Sequence, residues 1–174
     1  MIDIQVEMPG RFTPVETRQQ PLDAAAWPDL VQRAVRATLA DQGVEVAELS
    51  VTLLDDAPIR KLNHEYLGHD RPTDVIAFAL HGEGEPVLGD VYVGWRQAIL
   101  QAEREGVPPR EEIARLAIHG TLHVLGFDHP DEAEGRSGSE MFRVQEMIVA
   151  ALDLAPRASA GSSPPAPTAS GDSA

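Results

Sequence analysis

A chain of 174 residues, 43% apolar and 24% charged, has the size and balance of a single globular domain with a proper core. It contains no cysteine, which excludes a disulfide framework and any thiolate metal site. Its 14 basic residues against 28 acidic ones give a net charge of -14, which disfavours nucleic-acid binding through Lys and Arg alone, although a metal-bearing cleft can be locally positive in an acidic protein.

In chain order, Ile2, Ile4, Val6 and Met8 alternate with polar residues, the period of a half-buried strand ended by Pro9-Gly10. The opening segment has no basic stretch followed by an apolar one, and no apolar run is long enough to span a bilayer; a cytoplasmic protein without a membrane partner is expected. From about Pro28, Leu30, Val31, Ala34, Val35 and Leu39 share one helical face, and Gly43 stops the helix. Residues 49–54 form a second strand, and Asp55 caps a short helix with Pro58 in its first turn, running to about Tyr66. The apolar run 75–80 reads as a buried strand, and 87–94 as another after the turn-forming Gly82-Glu83-Gly84-Glu85-Pro86. A helix from Trp95 to Glu105 closes at Gly106. Pro108-Pro109 opens the next, with Ile113, Leu116, Ala117, Gly120, Thr121 and Val124 on a broad face. The last helix, about 139–154, carries Met141, Val144, Met147, Ile148 and Ala151 at helical spacing. One domain over 1–155 is expected, followed by a disordered tail at 156–174 that has no apolar side chain larger than Ala, Pro aside.

Three of the six histidines fall in HGTLHVLGFDH, residues 119–129. His119 and His123 stand one turn apart on a helix face, and Gly126 can reverse the chain to bring His129 to the same point. Three neutral imidazoles with a fourth position for water make a catalytic rather than a structural zinc site, although such a set also accepts nickel, cobalt or copper. The spacing resembles the zinc-protease pattern HExxHxxGxxH, but Gly120 stands where those enzymes have the glutamate base, which weakens a peptidase reading. Asp128 and Asp131, beside the third histidine, are candidates to orient an imidazole or accept a proton.

HGTLHVLGFDH is similar to the HGxLHLxGxDH signature of the YbeY-type single-strand-specific endoribonucleases, or ribosomal RNA maturation factors. LNHEYLGHDRPTDVIAFAL at 62–80 resembles that family's LNxxYRxKDxPTDVLSFP, and Leu88-Gly89-Asp90-Val91 its LGD strand. The resemblance runs from Met1 to about Leu154. It implies an α+β fold, a mixed sheet of about four strands flanked by helices, with a zincin-like metal helix. It also implies one zinc ion per chain on His119, His123 and His129. The implied activity is cleavage of single-stranded RNA in maturing the 3′ end of small-subunit ribosomal RNA and in ribosome quality control. The implied partners are ribosomal RNA, the small ribosomal subunit and ribosomal proteins.

The chain departs from the pattern at Leu67, where the family has an arginine, at His69, where it has a lysine, and at Ala77 and Ala79, where Ser and Pro are usual. A missing phosphate clamp at Leu67 predicts slow cleavage unless Arg71 replaces it. His69, Arg71 and Asp128 are the remaining catalytic candidates, with Arg60 and Lys61 as possible backbone contacts. Asp70 and Asp74 either cap the turn before the strand or support the site, and His64 and His81 read as surface residues. The attacking group is either water or the ribose 2′-hydroxyl. Two alternatives stand beside the nuclease: a zinc-containing ribosome-assembly factor without catalysis, and a zinc hydrolase of amide or peptide bonds.

Overall fold

The protein is described from a computed structural model that defines residues 1–10, 12, 24–130 and 133–155. Asp131 and the 156–174 tail lie outside the described residues. Four strands, β1 (Ile2–Glu7), β2 (Ala47–Leu54), β3 (Val75–Ala79) and β4 (Val87–Gly94), form one sheet in the order β1-β2-β4-β3. β1 pairs parallel with β2 and β2 with β4, whereas β3 lies antiparallel on the outer edge of β4. The mixed sheet flanked by helices is therefore the architecture expected. The helices are α1 (Trp27–Asp41), α2 (Asp56–Leu67), α3 (Trp95–Glu105), α4 (Pro109–Val124), the short α5 (Ala133–Ser137) and α6 (Glu140–Ala151).

Side-chain alternation divides the strands between two faces. Ile4, Leu49, Val51, Leu53, Val91 and Val93 are buried in the core shared with α1, α3, α4 and α6, while Leu54 and Ile76 pack with Ile59 of α2 in a smaller cluster. α4 is the centre of this arrangement, touching α1, α3, α6, β3 and β4. Its buried Ile113, Ala114, Ala117, Ile118, Leu122 and Val124 take up most of its circumference. A narrow strip is left for polar side chains, and His119 and His123 lie on it.

Two boundaries differ from expectation for physical reasons. The 75–80 run was expected to be a buried strand, yet β3 is an edge strand with only Ile76 buried and Leu80 already past its end. An edge strand lacks a neighbour on one side, and here that side opens onto a cavity, so its apolar residues become wall rather than core. The last helix stops at Ala151 because Leu152 turns extended. Among the described residues, no helix is long and apolar enough to cross a membrane.

Candidate metal centre

The site is built on the C-terminal end of α4. Pro109 occupies the first turn, where its missing N–H costs nothing, and Glu111 and Glu112 complement the positive end of the helix dipole. At the other end Gly126 takes a left-handed φ of 91°. Its N–H donates to the His123 carbonyl (3.0 Å) and the Phe127 N–H to that of Leu122 (3.0 Å), the paired bonds of a Schellman ending. This reversal carries His129 back to the face that bears His119 and His123. The Asp128 carboxylate supports the loop by accepting the His129 backbone N–H at 2.8 Å; in this arrangement it orients the backbone rather than an imidazole.

The three rings converge, with centroids 4.7, 5.1 and 5.1 Å apart. Nε2 of His119 lies 3.1 Å from Nε2 of His123 and 3.3 Å from Nε2 of His129. Each Nδ1 faces an oxygen: Gln145 Oε1 at 2.8 Å for His119, the Phe127 carbonyl at 3.0 Å for His123 and the Pro130 carbonyl at 3.0 Å for His129. Those oxygens demand N–H at each Nδ1, so in neutral rings every Nε2 presents a lone pair to the other two. Burial first, and then the neighbouring imidazoles, push His119 down to about 4, against the opposing effect of Gln145. Burial and His129 lower His123 as well. His119 and His123 are thus held neutral, and the three Nε2 atoms are aimed at one point.

That donor set fits a metal ion. Nitrogen ligands about 2.0–2.1 Å from a tetrahedral ion stand about 3.3–3.4 Å from one another, which is close to the two Nε2 spacings from His119. Without a cation, lone pair would face lone pair. The group His119, His123 and His129 can therefore hold a metal ion.

A cavity of about 840 Å³ opens over the triad. Its wall includes Leu67 and Asp74, the β3 residues Val75 to Ala77, Glu112 and Arg115 from α4, and Asp128, Arg136, Phe142 and Gln145. Leu67, 52% exposed, thus faces the site as its motif position implies. His69 and Arg71 are not among the residues lining the cavity. They belong to a turn tied to the buried Asn63, whose Nδ2 donates to the Arg71 carbonyl at 2.8 Å while its own carbonyl accepts from the His69 N–H at 3.2 Å. Arg60 is engaged by Asp70 through two bonds of 2.7 and 2.9 Å on the surface. Asp74 caps the start of β3 by accepting the Val75 N–H at 2.9 Å. His81 braces the β3–β4 connection through the Leu88 backbone.

The structure adds polar residues that were not read from the sequence. Arg115 is gripped by Glu111 (2.8 Å), Glu112 (2.6 Å) and Glu146 (2.8 Å). Glu112 is 1% exposed, and its Oε1 has no hydrogen-bond partner among the described residues. Burial raises its carboxyl above the usual range despite Arg115. The Glu111-Glu112-Arg115 spacing was visible as an intrahelical ion-pair pattern, but nothing local linked it to the triad. Gly120 also gains a role. A Cβ there would sit 2.4 Å from Val91 Cγ1, so this face of α4 is pressed against β4. A glutamate base could not occupy that position in this packing, which disposes of the peptidase geometry.

Comparison with known proteins agrees with these features. The chain matches the family described as Endoribonuclease YbeY over residues 14–153. A protein of that name from Persephonella marina is 42% identical over 123 residues, covering 68% of this chain and 78% of the relative. Another, from Bacillus licheniformis, is 40% identical over 146 residues, covering 77% and 89%. The solution structure of a Thermotoga maritima protein superposes with a TM-score of 0.56 at 25% identity, covering 84% of this chain and 86% of that one.

Proposed function

The chain belongs to the endoribonuclease YbeY family, and from that membership we propose that it is a zinc-dependent endoribonuclease specific for single-stranded RNA. Its task is maturation of the small-subunit ribosomal RNA 3′ end and ribosome quality control, in the cytoplasm and in contact with the small subunit and its proteins. The observation that carries the reading is the convergence of three imidazoles, with the Nε2 atoms of His123 and His129 3.1 and 3.3 Å from that of His119, on the wall of a cavity large enough for a nucleotide. His119, His123 and His129 hold the ion through Nε2. When bound, it supplies Lewis acidity to a phosphoryl oxygen and acidifies water.

The remaining work belongs to the cavity wall. Arg136, exposed on that wall, is the guanidinium we assign to a phosphate oxygen; Arg115, also on the wall, is held by three carboxylates. Leu67, Ala77 and Phe142 provide apolar surface for a base. A base reaches such a surface only when splayed from its strand, which supports preference for single strands. Asp128, with Oδ1 taken by the His129 backbone, keeps Oδ2 to accept a proton. We assign all of this to residues 1–155, with no contribution from 156–174.

The test is digestion of one RNA sequence, single-stranded and in duplex, with and without chelator, with mapping of the product ends. Cleavage of the single strand alone, abolished by chelator and restored by zinc, is the expected result. Zinc-loaded protein that binds ribosomal subunits but cuts no RNA would instead make it a non-catalytic assembly factor.

A further inference from the structure

His119 differs from the other two histidines in what holds it. His123 and His129 rest their Nδ1 atoms on backbone carbonyls of their own loop, at Phe127 and Pro130. Those partners come with the turn itself. The partner of His119 is a side chain from another helix, Gln145 of α6, 26 residues along the chain and 5% exposed.

A glutamine amide can be turned over, and turned over it would set an NH₂ group against the His119 N–H. The structure prevents this. Gln145 Nε2 donates to Glu146 Oε1 at 2.9 Å. Glu146 Oε1 also accepts from Arg115 Nε at 2.8 Å, and Oε2 lies 3.3 Å from Arg115 Nη2. Arg115 is itself held by Glu111 and Glu112. Reversing the amide would place its oxygen against the Glu146 carboxylate and its nitrogen against the His119 N–H, two repulsions at a side chain only 5% exposed. The chain of bonds begins and ends on α4, one turn apart, and passes through α6 between.

We infer that Gln145 is a positioning residue for the metal centre, and that Arg115 and Glu146 fix its amide so that His119 is held as the Nδ1–H tautomer with Nε2 directed at the ion. This rests on reading the triad as a metal site. It adds that the site is completed by α6 and not by the HGTLHVLGFDH segment alone. The amide also differs from a carboxylate at that place: being neutral, it orients the ring without passing negative charge to the ion.

The experiment measures zinc affinity by chelator competition for the full chain and its variants, with the visible spectrum of the cobalt-substituted protein as a second readout. Gln145→Leu keeps the apolar volume and removes the acceptor; zinc should bind about 10- to 100-fold more weakly, with an altered cobalt spectrum. Glu146→Gln, at a half-exposed position that leaves Arg115 two carboxylates, tests the relay if Gln145→Leu folds poorly. It should weaken zinc by a smaller factor, and the double variant should be no worse than Gln145→Leu, because Glu146 acts through Gln145. Folded Gln145→Leu with wild-type zinc affinity, or multiplicative effects in the double variant, would overturn the inference. Neither readout involves RNA: zinc binding that depends on Gln145 in a protein that cuts nothing would sink the nuclease and leave this inference standing.

Discussion

Gly120→Ala is the substitution for which the structure gives the sharpest forecast. The added Cβ would lie 2.4 Å from Val91 Cγ1, 3.2 Å from Val75 Cγ2 and 3.3 Å from Val91 Cγ2. Carbon atoms rest about 3.5–4.0 Å apart, so more than 1 Å must be found. Val91 has no exposure and stands in β4 between two paired strands, which leaves it no direction in which to yield. Overpacking of this kind costs about 1–3 kcal/mol, and this overlap belongs at the upper end. Ala in place of Gly in a helix returns about 1 kcal/mol. The net loss is about 2 kcal/mol, or about 4–8 °C in Tm for a domain of this size. Because His119 is the preceding residue, relief by lifting α4 from β4 also disturbs the triad, and zinc affinity falls together with Tm. Thermal unfolding of the metal-free protein, followed by circular dichroism, reads the first effect, and chelator competition reads the second. A variant more stable than wild type, as helix propensity alone would give, would show that α4 does not press on β4 as described.

Three further outcomes follow from the site. Leu67→Arg should speed cleavage of single-stranded RNA about tenfold or more without changing zinc content, and Arg136→Ala should slow it about a hundred- to a thousand-fold; Arg71→Ala should do neither, and a large loss there would place the 69–71 turn in the cleft. Glu112 has a folded-state pKa raised above its unfolded value, so its ionised form is penalised in the fold above that pKa and the penalty vanishes as pH falls below the unfolded value. Glu112→Gln should therefore be more favourable, relative to wild type, at pH 7 than at pH 4 in urea unfolding; the opposite ordering would mean that its bond to Arg115 outweighs its burial. Truncation after Pro156 should leave Tm and zinc content unchanged, and a fall of several degrees would show the tail packing on the domain.

What the sequence made legible is what depends on short spacing. The alternation in β1, the apolar face of α1 and the i, i+4 histidines followed by Gly126 are local patterns, and local geometry alone turns them into structure. Gln145 could not be found in that way. It shares a helix with Met141 and Ile148 and looks like any polar position there, until α6 docks on α4. The edge position of β3 was hidden for a similar reason: 75–80 is apolar enough for a central strand, and only the pairing order exposes one side of it. Gly120 is the instructive case. In the sequence it looked like a catalytic glutamate lost, and in the fold it is a contact between helix and sheet that admits no side chain. Arg71 was the nearest cation to Leu67 along the chain, but Arg115 and Arg136 are the arginines that line the cavity.

The most direct test of the account is a zinc titration of the metal-free chain in which bound zinc and cleavage of single-stranded RNA are followed together. Both should rise linearly and break at one ion per chain, and neither should rise with His119→Ala, His123→Ala or His129→Ala. Cleavage that is already complete in the metal-free protein, or that stays absent once the triad is filled, would contradict a nuclease built on these three histidines.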